Sequence, residues 1–270
     1  MKKVFIILIM VIPSFCNGQS LGNVWELGLS YNTPNYIYMS AVRFDSGFAD
    51  TFSVYRSMSM FATNASICDT SGNLLFYSNG QWIANRNNDS LSNGKGFNRG
   101  YSTDYYYGDN GLGFVQGMII IPHPDSFFLY DLFYITTEPL IYQKQQLFYP
   151  MHLSHSVVDM RKDHGLGAVT VKNEYIIEDT LLQGKLSACK AANGRDWWIL
   201  AHKWNSNKFY RWLLTPTTIE GPYEQEIGST FFQDFGFGQT CFSPDGNQFV
   251  FQCGTNILWT IIISIVALDY

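Results

Sequence analysis

Leu186-Ser187-Ala188-Cys189-Lys190-Ala191-Ala192-Asn193-Gly194-Arg195-Asp196-Trp197-Trp198-Ile199-Leu200 is an apolar strand, an Asn-Gly turn and a second apolar strand. Asn-Gly between apolar runs is the strongest short-range hairpin signal, because both residues accept positive φ. The pattern recurs in three other places. Ser66 to Tyr77 turns at Asp69-Thr70-Ser71-Gly72-Asn73, Ile119 to Tyr130 at Pro122-His123-Pro124-Asp125, and Thr240 to Phe251 at Ser243-Pro244-Asp245-Gly246. The steps between turns are roughly 50 to 70 residues, at or somewhat above the spacing of propeller and array repeats. One hairpin per unit implies an all-β chain of blade-like sheets about an axis. Asp69, Gly72, Asn193, Gly194, Asp245 and Gly246 read as structural turn residues. A scaffold of this kind does not itself name an activity.

The ends read differently. Lys2 and Lys3 precede the apolar run Val4 to Ile12, Pro13 breaks it, and Cys16 and Gly18 are small residues before Gln19. That is the pattern of a secretory signal over 1–18, and the run is shorter than the roughly 20 residues a spanning helix needs. The expectation is an exported chain, secreted or at the cell surface, with no transmembrane helix in the mature part. Without Lys2 and Lys3 the chain has 15 basic and 22 acidic residues, a formal charge of −7, and no basic stripe. Nucleic acid is therefore an unsuitable partner. Charged residues are 14% of the chain and aromatics 17%, which fits amphipathic β-sheets and not disorder. Residues 19–254 are expected to form the β domain. Ile257 to Leu268 within the tail 255–270 is almost wholly apolar; it reads either as a buried strand or, in preference, as an abnormal or incomplete end.

Along the domain, strands are expected at Tyr36 to Phe44, Phe52 to Phe61, Gln116 to Pro122, Phe127 to Thr136, His155 to Met160, Gly167 to Val171 and Phe209 to Leu214. Residues 79–113 are the longest polar stretch, rich in Asn, Gly and Tyr. It is either a long connection or a binding loop. In the second reading Tyr101, Tyr105, Tyr106, Tyr107 and Asn87 are the contact residues, since Tyr with Asn and Gly makes adaptable contacts.

Chemistry is poorly marked. There is no Cys-x-x-Cys, Gly-x-Ser-x-Gly, Walker or His-Glu-x-x-His motif, so no catalytic residue, metal or cofactor is assigned. Cys68, Cys189 and Cys241 stand at matching places before their turns and read as small buried strand residues. A Cys241–Cys253 bridge is disfavoured: if Phe242 opposes Phe249, the two cysteines face opposite sides of the sheet. A propeller enzyme would need three or more of His152, His155, Asp159, Glu174, His202 and Asp245 to converge.

Ser156-Val157-Val158-Asp159-Met160, Ala192-Asn193-Gly194-Arg195-Asp196-Trp197-Trp198 and His202-Lys203-Trp204-Asn205-Ser206-Asn207 resemble a group of secreted, WD40-like β-propeller proteins of gliding Bacteroidota-type bacteria. Gly72-Asn73-Leu74-Leu75-Phe76-Tyr77-Ser78-Asn79-Gly80 matches the same group, and Phe242-Ser243-Pro244-Asp245-Gly246 is similar to the turn of WD40-like blades. The resemblance implies an incomplete β-propeller of about five blades. It also implies export, with type IX secretion through a sorting domain that this sequence does not show. The expected function is a non-enzymatic module that binds a protein or glycan at the cell surface. The alternatives are a propeller enzyme of lactonase or glycoside hydrolase type, or a truncated product without a function of its own.

Overall fold

The computed structural model describes residues 20–29, 39–45, 48–101, 103–104, 110–113, 115–142, 144–228, 230, 239–254 and 259–264. The expected signal segment 1–18 and residues Tyr105, Tyr106 and Tyr107 lie outside this set.

The described residues form five antiparallel sheets, each a run of consecutive strands. Sheet 1 is β1 (Val24–Leu27), β2 (Ser40–Asp45) and β3 (Phe48–Ser53). Sheet 2 is β4 (Ala65–Cys68), β5 (Leu74–Ser78) and β6 (Ile83–Asn85). Sheet 3 is β7 (Met118–Pro122), β8 (Leu129–Tyr142), β9 (Gln145–Asp159) and β10 (Ala168–Glu178). Sheet 4 is β11 (Ser187–Lys190), β12 (Trp197–His202), β13 (Lys208–Leu214) and β14 (Ile219–Glu226). Sheet 5 is β15 (Thr240–Phe242), β16 (Phe249–Gly254) and β17 (Trp259–Ser264). The expected all-β class is what the chain adopts.

The four hairpins of the sequence occupy one equivalent place. Each joins the first strand of a sheet to its second: β4 to β5, β7 to β8, β11 to β12 and β15 to β16. Their turns close by local chemistry. Asp69 Oδ1 accepts from the Ser71 and Asn73 amides at 2.8 and 2.9 Å. Asn193 Oδ1 accepts from the Arg195 and Asp196 amides at 3.0 Å each. Asp245 Oδ1 accepts from the Asn247 amide at 3.1 Å. Gly72, at φ 85°, is required twice over, because a Cβ there would also sit 2.6 Å from the Asn23 side chain.

The sheets pack in series, and strand alternation makes this possible. In β8, Phe133 and Ile135 face a core shared with Ile199, Tyr210 and Trp212 of sheet 4, while Leu132 and Tyr134 face one shared with Ile67, Phe76 and Ile83 of sheet 2. In β12, Ile199 and Ala201 belong to the core with sheet 3, and Leu200 to one with Phe249 of sheet 5. Val24, Ala41 and Cys68 join sheets 1 and 2. First strands lie beside first strands: β1 by β4, β4 by β7 and β11 by β15. Gln116, just before β7, grips Thr240 of β15: its Nε2 donates to the Thr240 carbonyl at 2.7 Å and its Oε1 accepts the Thr240 amide at 2.8 Å.

Several expectations need correction. The strand expected over Phe52 to Phe61 is β3, which ends at Ser53. Beyond it the buried Arg56 draws the chain inward. Its guanidinium donates to Glu26 Oε2 at 2.8 Å, the Leu27 carbonyl at 2.5 Å and the Met58 carbonyl at 3.0 Å. The strands at His155 and Gly167 are the ends of the much longer β9 and β10. β14 was not anticipated, because an outer strand that is mostly exposed and contains Pro222 shows no alternation. Cys68 and Cys189 are buried as expected and carry free thiols, but Cys241 is exposed, because Thr240, and not Cys241, takes the buried place in β15. Phe242 does oppose Phe249, with Cys241 opposite Val250.

Candidate functional site

Residues 79–101 of the polar stretch are not a free loop. They fold back on sheets 2 and 3 and form the wall of an open cavity of about 550 Å³. Asn79 starts the wall: its Oδ1 accepts the Gln81 amide at 3.0 Å, and its Nδ2 donates to the Ser59 carbonyl at 3.0 Å. Asn85 Oδ1 accepts the Asn87 amide at 2.9 Å and sets the turn that presents Asn88, Asp89 and Ser90. Asn88 stands at φ 68° and accepts from Tyr77 Oη at 2.8 Å. Leu91 and Phe97 are buried in the core with Tyr134, so this stretch contributes to the fold.

The far side of the wall is held by β10. Lys172 Nζ donates to the Asn93 carbonyl at 3.1 Å, Asn93 Oδ1 at 2.8 Å and the Lys95 carbonyl at 2.8 Å. Burial lowers the pKa of this ammonium. Asn173, at φ 58° in a bulge of the β9–β10 ladder, donates through Nδ2 to the Gly96 carbonyl at 2.9 Å. Its Oδ1 accepts from Tyr134 Oη at 2.6 Å, and burial pushes the Tyr134 phenol well above its usual range. Asn98 Nδ2 donates to the Ile135 carbonyl at 2.8 Å. These contacts cross about 40 to 80 residues of sequence, so the wall is preorganised by distant strands.

Nine of the residues lining the cavity are polar. Most are already spent. Arg99 Nε pairs with Asp104 Oδ1 at 2.9 Å, and Gln81 Oε1 accepts the Gly111 amide at 3.0 Å. Asp89 and Lys95 are exposed, and neither side chain has a hydrogen-bond or ion-pair partner among the described residues. Trp82 is half-buried, packed on Met58, Met60, Tyr77 and Ala84 and open on the cavity side. Among its charged groups the cavity thus leaves the Asp89 carboxylate and the Lys95 ammonium unpaired, beside the half-buried Trp82.

Of the expected contact residues, Asn87 is exposed on the turn beside Asn88, and Tyr101 is exposed between Arg99 and Thr103. Both flank residues of the cavity wall without themselves lining it. The cavity lies along the polar stretch, but Trp82, Asp89 and Lys95, which line it, were not singled out by the sequence. The signal for them was faint: an aromatic and two opposite charges in a stretch otherwise rich in Asn, Ser and Gly.

The residues weighed for an enzyme are each engaged locally. His152 stacks on Tyr175 with ring centroids 4.7 Å apart. Asp159 binds Arg161 at 2.8 Å, and His202 packs edge-on against Phe209 at 4.4 Å. Asp245 caps its own turn, and Glu174 lies opposite His155 in the β9–β10 register. No group of three metal-ligating side chains forms among the described residues. His155 instead donates through Nε2 to the buried Asp131 Oδ1 at 2.7 Å, a partner the sequence did not suggest. A second cavity, of about 610 Å³, lies between the first strands of sheets 4 and 5 and includes Cys189 and Cys241. Burial pushes the Cys189 thiol up to about 11, so it is not a ready nucleophile. No protein-family model, curated protein or solved structure matches the chain.

Proposed function

We propose that this chain is an exported β-propeller module that binds a glycan or protein at the cell surface and carries no chemistry of its own. The blade arrangement is supported by five like sheets stacked in series, with first strand beside first strand. The binding role is carried by one observation: a cavity wall fixed from β10 that leaves Asp89, Lys95 and Trp82 available. Polar groups held on a rigid scaffold and left unpaired are what a binding site needs, because little ordering remains to be done when the ligand arrives. Export is supported by the signal pattern at 1–18.

The test is retention of the purified protein on a cell-envelope extract. The double variant Asp89→Ala, Lys95→Ala should lose most retention while melting at the temperature of the parent. Equal retention by parent and variant would remove the cavity from the proposal.

A further inference from the structure

We infer that the cavity lined by Gln81, Trp82, Asp89, Lys95 and Arg99 takes one uncharged pyranose unit of a glycan, with Trp82 under the sugar ring and Asp89 and Lys95 on its hydroxyls. The inference rests on the binding role proposed above and specifies its ligand. The charges select a ligand without net charge, and Trp82 with the hydroxyl-matching pair narrows it to a sugar. Arg99 and Asp104 neutralise each other at 2.9 Å, which leaves one free carboxylate and one free ammonium. A ligand of either net charge would meet an unpaired charge of its own sign, at a cost. A sugar hydroxyl donates and accepts, so one unit serves Asp89 and Lys95 together. The carbon-bound hydrogens of a pyranose face are apolar and match the open side of Trp82. A volume of about 550 Å³ lies within the range of small-ligand sites, which run from ~300 to ~1,000 Å³.

Binding of neutral oligosaccharides (gluco-, manno- and galacto-configured, immobilised as an array) is measured beside polygalacturonate and heparin as anionic probes. The expected result is retention of at least one neutral series. Asp89→Asn and Lys95→Met should each weaken it about 10- to 100-fold, as for the loss of one hydrogen bond to a charged group. Both residues are exposed, so folding is expected to be unaffected, and Trp82→Ala is read only if its melting curve matches the parent. Retention of anionic probes that Asp89→Asn strengthens would overturn the inference. Envelope binding that depends on Asp89 and Lys95, with no saccharide retained, would overturn it too and leave a protein partner for the module. Loss of both readouts would sink the module reading as well.

Discussion

His123 and Asp131, at either side of the β7–β8 turn, form an ion pair of 2.8 Å between Nδ1 and Oδ2, and the other ring nitrogen of His123 lies 3.2 Å from the Pro216 carbonyl of sheet 4. A carboxylate and a carbonyl only accept, so both contacts are hydrogen bonds only when the imidazole is protonated, and the pairing with Asp131 favours that form. Asp131 also accepts from His155, and this polar staple holds sheet 3 to sheet 4 beside their apolar core.

The staple should impose a pH window on stability. Its hydrogen bond to Asp131 raises the His123 pKa above the ordinary 6.5, so this contribution is complete below 6.5 and is lost as pH rises through the folded value. Burial raises the Asp131 pKa, but the hydrogen bonds from His123 and His155 outweigh it and hold it below 3.8, so that contribution is lost as pH falls through the folded value. The two overlap between the carboxylate and imidazole ranges. His123→Leu should destabilise most near pH 5 and least near pH 9 in urea titrations. Near pH 5, where His123 is protonated, Asp131→Asn should cost about 3 kcal/mol or more, since it leaves that cation without its partner.

His202 should act in the opposite sense. Burial, with Lys185 nearby, lowers its pKa to about 4. The unfolded chain binds a proton there at about 6.5 and the folded chain does not, so stability falls as pH drops between these values. The loss is on the order of 3 kcal/mol for one group. His202→Phe should flatten the acid limb of the stability curve, measured by denaturant unfolding at pH 7 and 4.5.

Arg56→Lys should destabilise nearly as much as Arg56→Ala. The guanidinium serves Glu26 and the carbonyls of Leu27 and Met58 at once from a fully buried place. An ammonium cannot reproduce that fork, and the buried Glu26 would lose its partner. A loss of about 3–5 kcal/mol is expected for either variant by thermal or urea unfolding.

Asn173 separates side-chain from backbone effects. Asn173→Gly keeps the positive φ and deletes the bonds to Gly96 and Tyr134, for a loss of about 1–2 kcal/mol. Asn173→Ala should lose roughly 1 kcal/mol more, from left-handed backbone strain. Amide exchange over 93–98 should quicken in both.

The hairpins were legible because their cause is local. Asn193-Gly194 and Asp69 with Gly72 close their turns through neighbours four residues away or nearer. β14 was hidden because Glu220, Tyr223 and Glu224 are exposed and give no period. The wall 79–104 read as a loop because its polar side chains serve backbone far along the chain, as Asn98 does for Ile135. His123, Asp131 and His155 carried no motif, since the strands that bring them together are defined only by register. Asp89 and Lys95 read like any other surface charges; what sets them apart is that the fold places both at the cavity, which no sequence displays.

Ile199 and Leu200 are neighbours in β12, yet one serves the core with sheet 3 and the other the core with sheet 5. Inserting a single residue into that strand would exchange the two sets and spoil both interiors together. Insertions and deletions in descendants of this chain should therefore collect in the tight turns, where an added residue changes neither set.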